Sequence, residues 1–137
     1  MPHDWRAWAR QELAAAYADR AQGNEGRARV RARRIAGAIA EAYLRQQGET
    51  RAFGQNALRV LEYLWRRPEI SPRTRLLLTH FLMRVNTQFQ LPPGVDLLED
   101  VQAFAQELLG ETLTPAADDA AEPDESPGAS SSDGGDA

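Results

Sequence analysis

Gly26-Arg27-Ala28-Arg29-Val30-Arg31-Ala32-Arg33-Arg34-Ile35-Ala36-Gly37-Ala38-Ile39-Ala40-Glu41-Ala42-Tyr43-Leu44 decides the fold class. With successive residues 100° apart, Ala28, Ala32, Ile35, Ala36, Ile39, Ala42 and Tyr43 fall within an arc of about 120°, which is the spacing of an amphipathic helix. The arginines Arg27, Arg29, Arg31, Arg33 and Arg34 all lie outside that arc. One side is suited to a core and the rest carries dense positive charge. The spacing predicts a helix from about Glu25 to Gln47, stopped by Gly48. Gly37 within it costs about 1 kcal/mol relative to alanine. The expected reason is the close approach of another helix.

Four further helices follow from the same reading, and no strand does: β-branched residues are sparse and period-2 alternation is absent. Helix one is expected over Trp5–Ala21, with Asp4 as N-cap. Its stripe is Trp5, Ala9, Leu13, Ala16 and Tyr17, with Trp8 at the flank. Helix three is expected from about Arg51 to Arg66, capped by Thr50 and ended by Pro68. Phe53, Ala57, Leu61, Leu64 and Trp65 form its apolar face. Helix four opens with Ser71 as cap and Pro72 at the first position, and its stripe Leu78, Phe81, Leu82, Val85 and Phe89 carries it to about Phe89. Leu91-Pro92-Pro93-Gly94 is a rigid connector. Helix five starts after Asp96, which with Glu99 forms an acid-capped capping box. Leu97, Val101, Phe104, Ala105 and Leu108 face inward, and Gly110 closes it. Short connections imply mostly antiparallel neighbours in a bundle.

Composition divides the chain at residue 113. Met1 to Leu113 holds 16 arginines and 13 carboxylates, a formal +3, while Thr114 to Ala137 holds seven carboxylates and no cation. The second segment lacks aromatics and is rich in Ser, Gly, Pro, Asp and Ala. It is expected to be a disordered acidic tail beside a helical-bundle domain of residues 1–113. Lysine is absent, so every cation is a guanidinium, a group that favours phosphate and carboxylate forks. Without cysteine there is no disulfide, thiolate ligand or thiol nucleophile. The start Met-Pro-His-Asp-Trp does not read as a signal peptide, and no apolar run approaches the roughly 20 residues of a membrane span. A cytoplasmic protein is expected.

Two groups of residues carry chemistry. Arg27, Arg29, Arg31, Arg33 and Arg34 can bind phosphates or an acidic protein surface. Alternatively, they form a solvated face neutralised by Glu12, Asp19 or Glu25, or loosely by the acidic tail. On helix four, Arg73, His80, Arg84 and Thr87 form a polar line beside the apolar stripe, whereas Arg75 points elsewhere. A histidine can move the proton of a 2′-hydroxyl while arginine binds the phosphate. The other reading of His80 is an ordinary half-buried histidine. No Glu-x-x-His pair, glycine-rich phosphate loop or Gly-x-Ser-x-Gly elbow is present, and the histidines lack metal-site spacing. No metal or cofactor is expected.

The order of elements resembles the HEPN superfamily of small helical bundles. It matches in a first helix opening at Asp4-Trp5, the long alanine-rich segment quoted above, a shorter third helix, a proline-started fourth, and a last helix after Leu91-Pro92-Pro93. The likeness spans roughly residues 4 to 110. Many members look for function to an arginine, a polar residue and a histidine after four to six intervening positions. Arg73-Thr74 with His80 fits the six-residue form. Arg75 with His80 fits the four-residue form, with Leu76 in place of the polar residue. The resemblance implies metal-independent ribonucleases or toxins whose site forms across a homodimer; other members are inactive binding subunits. The expectation is thus a five-helix antiparallel all-α bundle acting as an interaction module. Its partner, a protein or RNA, would be met by the arginine face of helix two, with Arg84 as a further contact. The alternatives are an endoribonuclease using His80 with Arg73 or Arg75, and a structural adaptor with no nucleic-acid role.

Overall fold

The computed structural model describes residues 4–83 and 94–117. They form five helices: α1 (Trp5–Ala21), α2 (Glu25–Gln46), α3 (Ala57–Trp65), α4 (Pro72–Leu82) and α5 (Leu97–Leu109). No strand occurs among the described residues. Every helix starts on a side chain that accepts from its open first turn. Asp4 accepts from the Ala7 N–H, Asn24 from Arg27, Asn56 from Arg59, Ser71 from Thr74, and Asp96 from Leu98 and Glu99. Each such cap stabilises its helix by about 1 kcal/mol.

The long helix α2 is the centre of the bundle. Helices α1, α3 and α5 pack around it, and α4 joins the core through α5 and α3. Accordingly, α2 is buried on every side from Ile35 through Ala40, a stretch of small residues broken by two isoleucines. Such residues let neighbouring backbones come close. At Gly37 an added Cβ would lie 2.7 Å from Ala57 Cβ and 2.9 Å from Ala57 Cα, so the start of α3 occupies the space a side chain would need. Around this axis Leu13, Leu61, Leu64, Leu78, Leu98, Val101 and Phe104 are fully buried, each contributing roughly 1.5–3 kcal/mol relative to exposure. The Phe81 and Phe104 rings meet edge-on at 5.2 Å and join α4 to α5.

Three element boundaries differ from the sequence expectation. Helix α3 starts at Ala57 rather than near Arg51, because Gly54 turns the chain at φ +65° and Asn56 takes the cap position. Phe53 still reaches the core, from the turn, while Trp65 is 41% exposed. Helix α4 stops at Leu82 rather than near Phe89, with Met83 extended. Here Arg33 of α2 supplies the reason: its Nε donates to the Phe81 carbonyl (2.9 Å) and its Nη2 to that of Met83 (3.2 Å), satisfying groups that a longer helix would have bonded internally. Val85, Phe89 and the Leu91-Pro92-Pro93 connector lie outside the described residues. Finally, the chain does not leave the bundle at Leu113. Leu113 is buried, the Ala116 N–H donates to the Arg10 carbonyl (2.9 Å), and Arg10 Nε donates to the Thr114 carbonyl (3.3 Å). Residues 114–117, read as tail, therefore lie against α1; the rest of the expected tail, 118–137, is outside the described residues.

Arg20 ties three helices together. It reaches Glu25 at 2.7 and 3.0 Å, and Asp96 at 3.0 and 3.1 Å. The Arg20 guanidinium holds the Glu25 carboxyl below its usual range. Burial pushes the Asp96 carboxyl up, but Arg20 and the N–H groups of Glu99 and Leu98 outweigh it, so Asp96 too is lowered. Groups with depressed folded pKa values add stability above their unfolded values, about 4.3 for Glu and 3.9 for Asp, and that stability is lost as pH falls through the folded values. The urea midpoint should therefore drop between about pH 5 and pH 3, and Arg20→Gln should make that drop shallower. An unchanged pH profile in the variant would show that the cluster contributes nothing.

Candidate functional site: a groove beside a divided arginine cluster

The arginines of α2 do not act as one surface. Arg31 turns toward α1, where its Nε lies 2.7 Å from Asp19 Oδ2 and its Nη1 lies 3.1 and 3.2 Å from the Glu12 oxygens. Arg33 is spent on the end of α4, and burial followed by the nearby Arg29 pushes its pKa down. Arg29 is also engaged. Arg27 is exposed in the first turn of α2. Arg34 is exposed and makes no hydrogen bond or ion pair among the described residues. Of the five, Arg27 and Arg34 have side chains that make no hydrogen bond or ion pair among the described residues.

The polar line of α4 faces α5. Arg73 Nε donates to Glu107 Oε2 at 3.0 Å, and His80 Nδ1 lies 2.9 Å from Asp100 Oδ2. The two rungs are seven residues apart on each helix, as antiparallel neighbours require. The Arg73 side chain is 63% exposed; those of His80 and Asp100 are 19% and 15% exposed. Burial pushes the Asp100 carboxyl up, while the His80 hydrogen bond pulls against it. Where Asp100 is ionised it can only accept, so Nδ1 donates to it and Nε2 is the ring nitrogen left for other chemistry. Arg75 is not beside His80. It donates to the carbonyls of Trp65, Arg67 (3.1 Å) and Ile70 (3.5 Å), and its guanidinium carbon lies 5.2 Å from the Trp65 ring centre. It thereby closes the α3–α4 turn. Arg84 and Thr87 lie outside the described residues.

A concavity lies elsewhere among the described residues. A groove of about 650 Å³ runs between α1, α2 and the turn before α3, lined by Trp8, Arg34, Gly37, Ala38, Glu41, the 54–57 turn and Val60. Gly37 and Ala38 keep its α2 wall low, Gly54 bends the chain around its end, and half-buried Trp8 supplies an aromatic wall. The Glu41 carboxylate is held by Arg45 Nη2 at 2.9 Å, one helical turn along. Arg34 is therefore the uncommitted charge of this groove. Sequence reasoning placed Trp8 beside the core and missed the groove. The signals present were the off-stripe position of Trp8 and the glycine at 37. The third wall was hidden because residues 54–56 were read as helix.

Among the described residues no group of three or more His, Asp or Glu side chains is arranged to hold a metal ion. No described helix is long and apolar enough to cross a membrane. No protein-family model matches the chain, and neither a curated protein nor a solved structure matches it.

Proposed function

We propose that this protein is a small helical interaction module that receives an acidic segment of a partner protein in the groove between α1, α2 and the turn before α3. The observation that carries this reading is the uncommitted Arg34 guanidinium on the same groove as the Trp8 wall. Tryptophan and arginine are among the residue types enriched in the hot spots of protein interfaces. A carboxylate can take both arms of the guanidinium fork, and Trp8 can cover an adjacent apolar side chain. Protein is favoured over RNA because nucleic-acid affinity is built from several phosphate contacts. Of the α2 cluster, Arg31 and Arg33 already serve the fold, and Glu41 stands in the groove wall.

The test places a photo-crosslinking amino acid at Gln55, on the groove, in cells that make the protein. A discrete protein adduct is expected, lost with Arg34→Glu and kept with Arg73→Glu. An adduct indifferent to Arg34→Glu, or one formed with RNA, contradicts the reading.

A second reading rests on the Asp100–His80 pair, which is the arrangement of a general base with its orienting carboxylate. It is the metal-independent endoribonuclease of HEPN type, with its site completed across a homodimer. Arg73, exposed and paired only with Glu107, would exchange that carboxylate for a phosphate, whereas Arg75 is tied to three carbonyls. RNA cleavage in EDTA by the wild type but not by His80→Ala would put it first.

A further inference from the structure

A second cleft, about 140 Å³, lies between the chain before α3 and α3 itself, lined by Arg51, Phe53, Arg59, Glu62, Tyr63 and Arg66. Arg59 and Glu62 of α3 and Arg66, which caps its C-terminus in helical conformation, share one face by their spacing of three and seven. Arg51 comes from the preceding segment and is held over Tyr63, its guanidinium carbon 4.8 Å from the ring centre. Tyr63 is itself fixed, with its hydroxyl 2.5 Å from Glu49 Oε1 and its ring 5.2 Å from that of Phe53. Stacking occupies the face of the Arg51 guanidinium and leaves its in-plane N–H donors for another acceptor.

The charges around this cleft do not balance. The guanidiniums of Arg59 and Arg66 make no hydrogen bond or ion pair among the described residues, in contrast to neighbouring Arg67, which reaches Glu69 at 2.7 Å and Glu49 at 3.8 Å. Glu49 is committed to the Tyr63 hydroxyl, the Arg51 N–H and Arg67. Among the side chains that line the cleft, three cations face one carboxylate, Glu62, a net charge of +2 within a space the size of one small anion, with Glu49 behind Tyr63 drawing on Arg51 and Arg67 from outside it.

We propose that this cleft is a binding site for a phosphate monoester. At neutral pH that group carries a charge near −2 and three acceptor oxygens, matching the excess of the cleft and its three guanidiniums. A diester or a carboxylate carries −1 and leaves the cleft positive. The monoester can belong to a phosphorylated side chain of a partner or to a small phosphorylated metabolite. This inference does not depend on the groove at Arg34.

The test is an NMR titration of the full chain, following the arginine Nε–Hε signals at one neutral pH. Monomethyl phosphate should give saturable shifts at Arg51, Arg59 and Arg66 with a dissociation constant on the order of 1 mM. Dimethyl phosphate, a monoanion, should bind roughly fivefold or more weakly, the change expected for one charge–charge contact at a surface. Arg59→Gln with Arg66→Gln should abolish the response with unchanged helical circular dichroism. A phosphoserine peptide binding tighter than a nucleoside monophosphate assigns the site to a modified protein; the reverse order assigns it to a metabolite. Unsaturated shifts up to about 10 mM, equal affinity for the diester, or a response that survives the double substitution would each overturn the proposal.

Discussion

Arg31→Ala is expected to destabilise the bundle by about 2 kcal/mol, lowering the thermal midpoint by roughly 10 °C. Asp19 is 8% exposed and its carboxylate lies 2.7 Å from Arg31 Nε, with Glu12 on the other arm of the same guanidinium. Removing the arginine leaves two carboxylates facing each other, one of them nearly dry. A fully buried charge stripped of its partner costs about 3–5 kcal/mol, and an exposed pair is worth about 0–1. Arg31 keeps 24% of its side chain in water, which places it between these limits. Asp19→Asn with Glu12→Gln in the same background should recover most of the loss, because neutral amides need no counter-charge. A loss below about 0.5 kcal/mol, the scale of ordinary surface substitutions, would show that Arg31 is only a surface arginine.

Gly37→Ala is expected to lose about 1–2 kcal/mol, against the usual sense of a glycine-to-alanine change within a helix. Alanine should gain about 1 kcal/mol from helix propensity alone. Here the new methyl would stand 2.7 Å from Ala57 Cβ and 2.9 Å from Ala57 Cα. The second atom is backbone and cannot swing aside, so α3 must move outward. Overpacking costs about 1–3 kcal/mol, and a clash with backbone lies in the upper part of that range, so it exceeds the propensity gain by about 1–2 kcal/mol. Ala57→Gly takes away the methyl that the new side chain would strike but leaves the backbone carbon in its way, so the double variant should recover part of the loss. Urea denaturation of the two single variants and the pair measures the coupling. A Gly37→Ala protein as stable as wild type would mean that α2 and α3 are not in such close approach.

The fold was legible where a single helix contained its own signals. The stripe Ala28, Ala32, Ile35, Ala36, Ile39 needs no knowledge of neighbours, and Gly37 announced a close approach before its partner was known. Asp96 and Gly110 marked the ends of α5 for the same reason. Helix three was overextended because Phe53 and Ala57 fit the apolar spacing, although Gly54 and Asn56 already carried a turn and a cap. The end of α4 could not be read locally, since it depends on Arg33, 48 residues away from Phe81. The same distance in sequence hid the roles of the arginines. Which guanidinium meets Asp19, which closes a helix and which faces a groove is set by how α1, α3 and α4 lie on α2. His80 was visible as a candidate, but its carboxylate came from α5 and had no sequence signal. The groove needs three segments at once, and one of them was misread.

The division of labour among the arginines of α2 is the centre of this picture, and the yield of the crosslink from position 55 tests it most directly. It would be measured for Arg31→Gln, Arg33→Gln and Arg34→Gln at a temperature where all three are folded. The adduct should persist in the first two, despite their lower urea midpoints, and fall by about tenfold or more in Arg34→Gln at an unchanged midpoint. An adduct that survives Arg34→Gln, or a midpoint that falls as far there as in Arg31→Gln, would contradict the assignment of Arg34 to a partner.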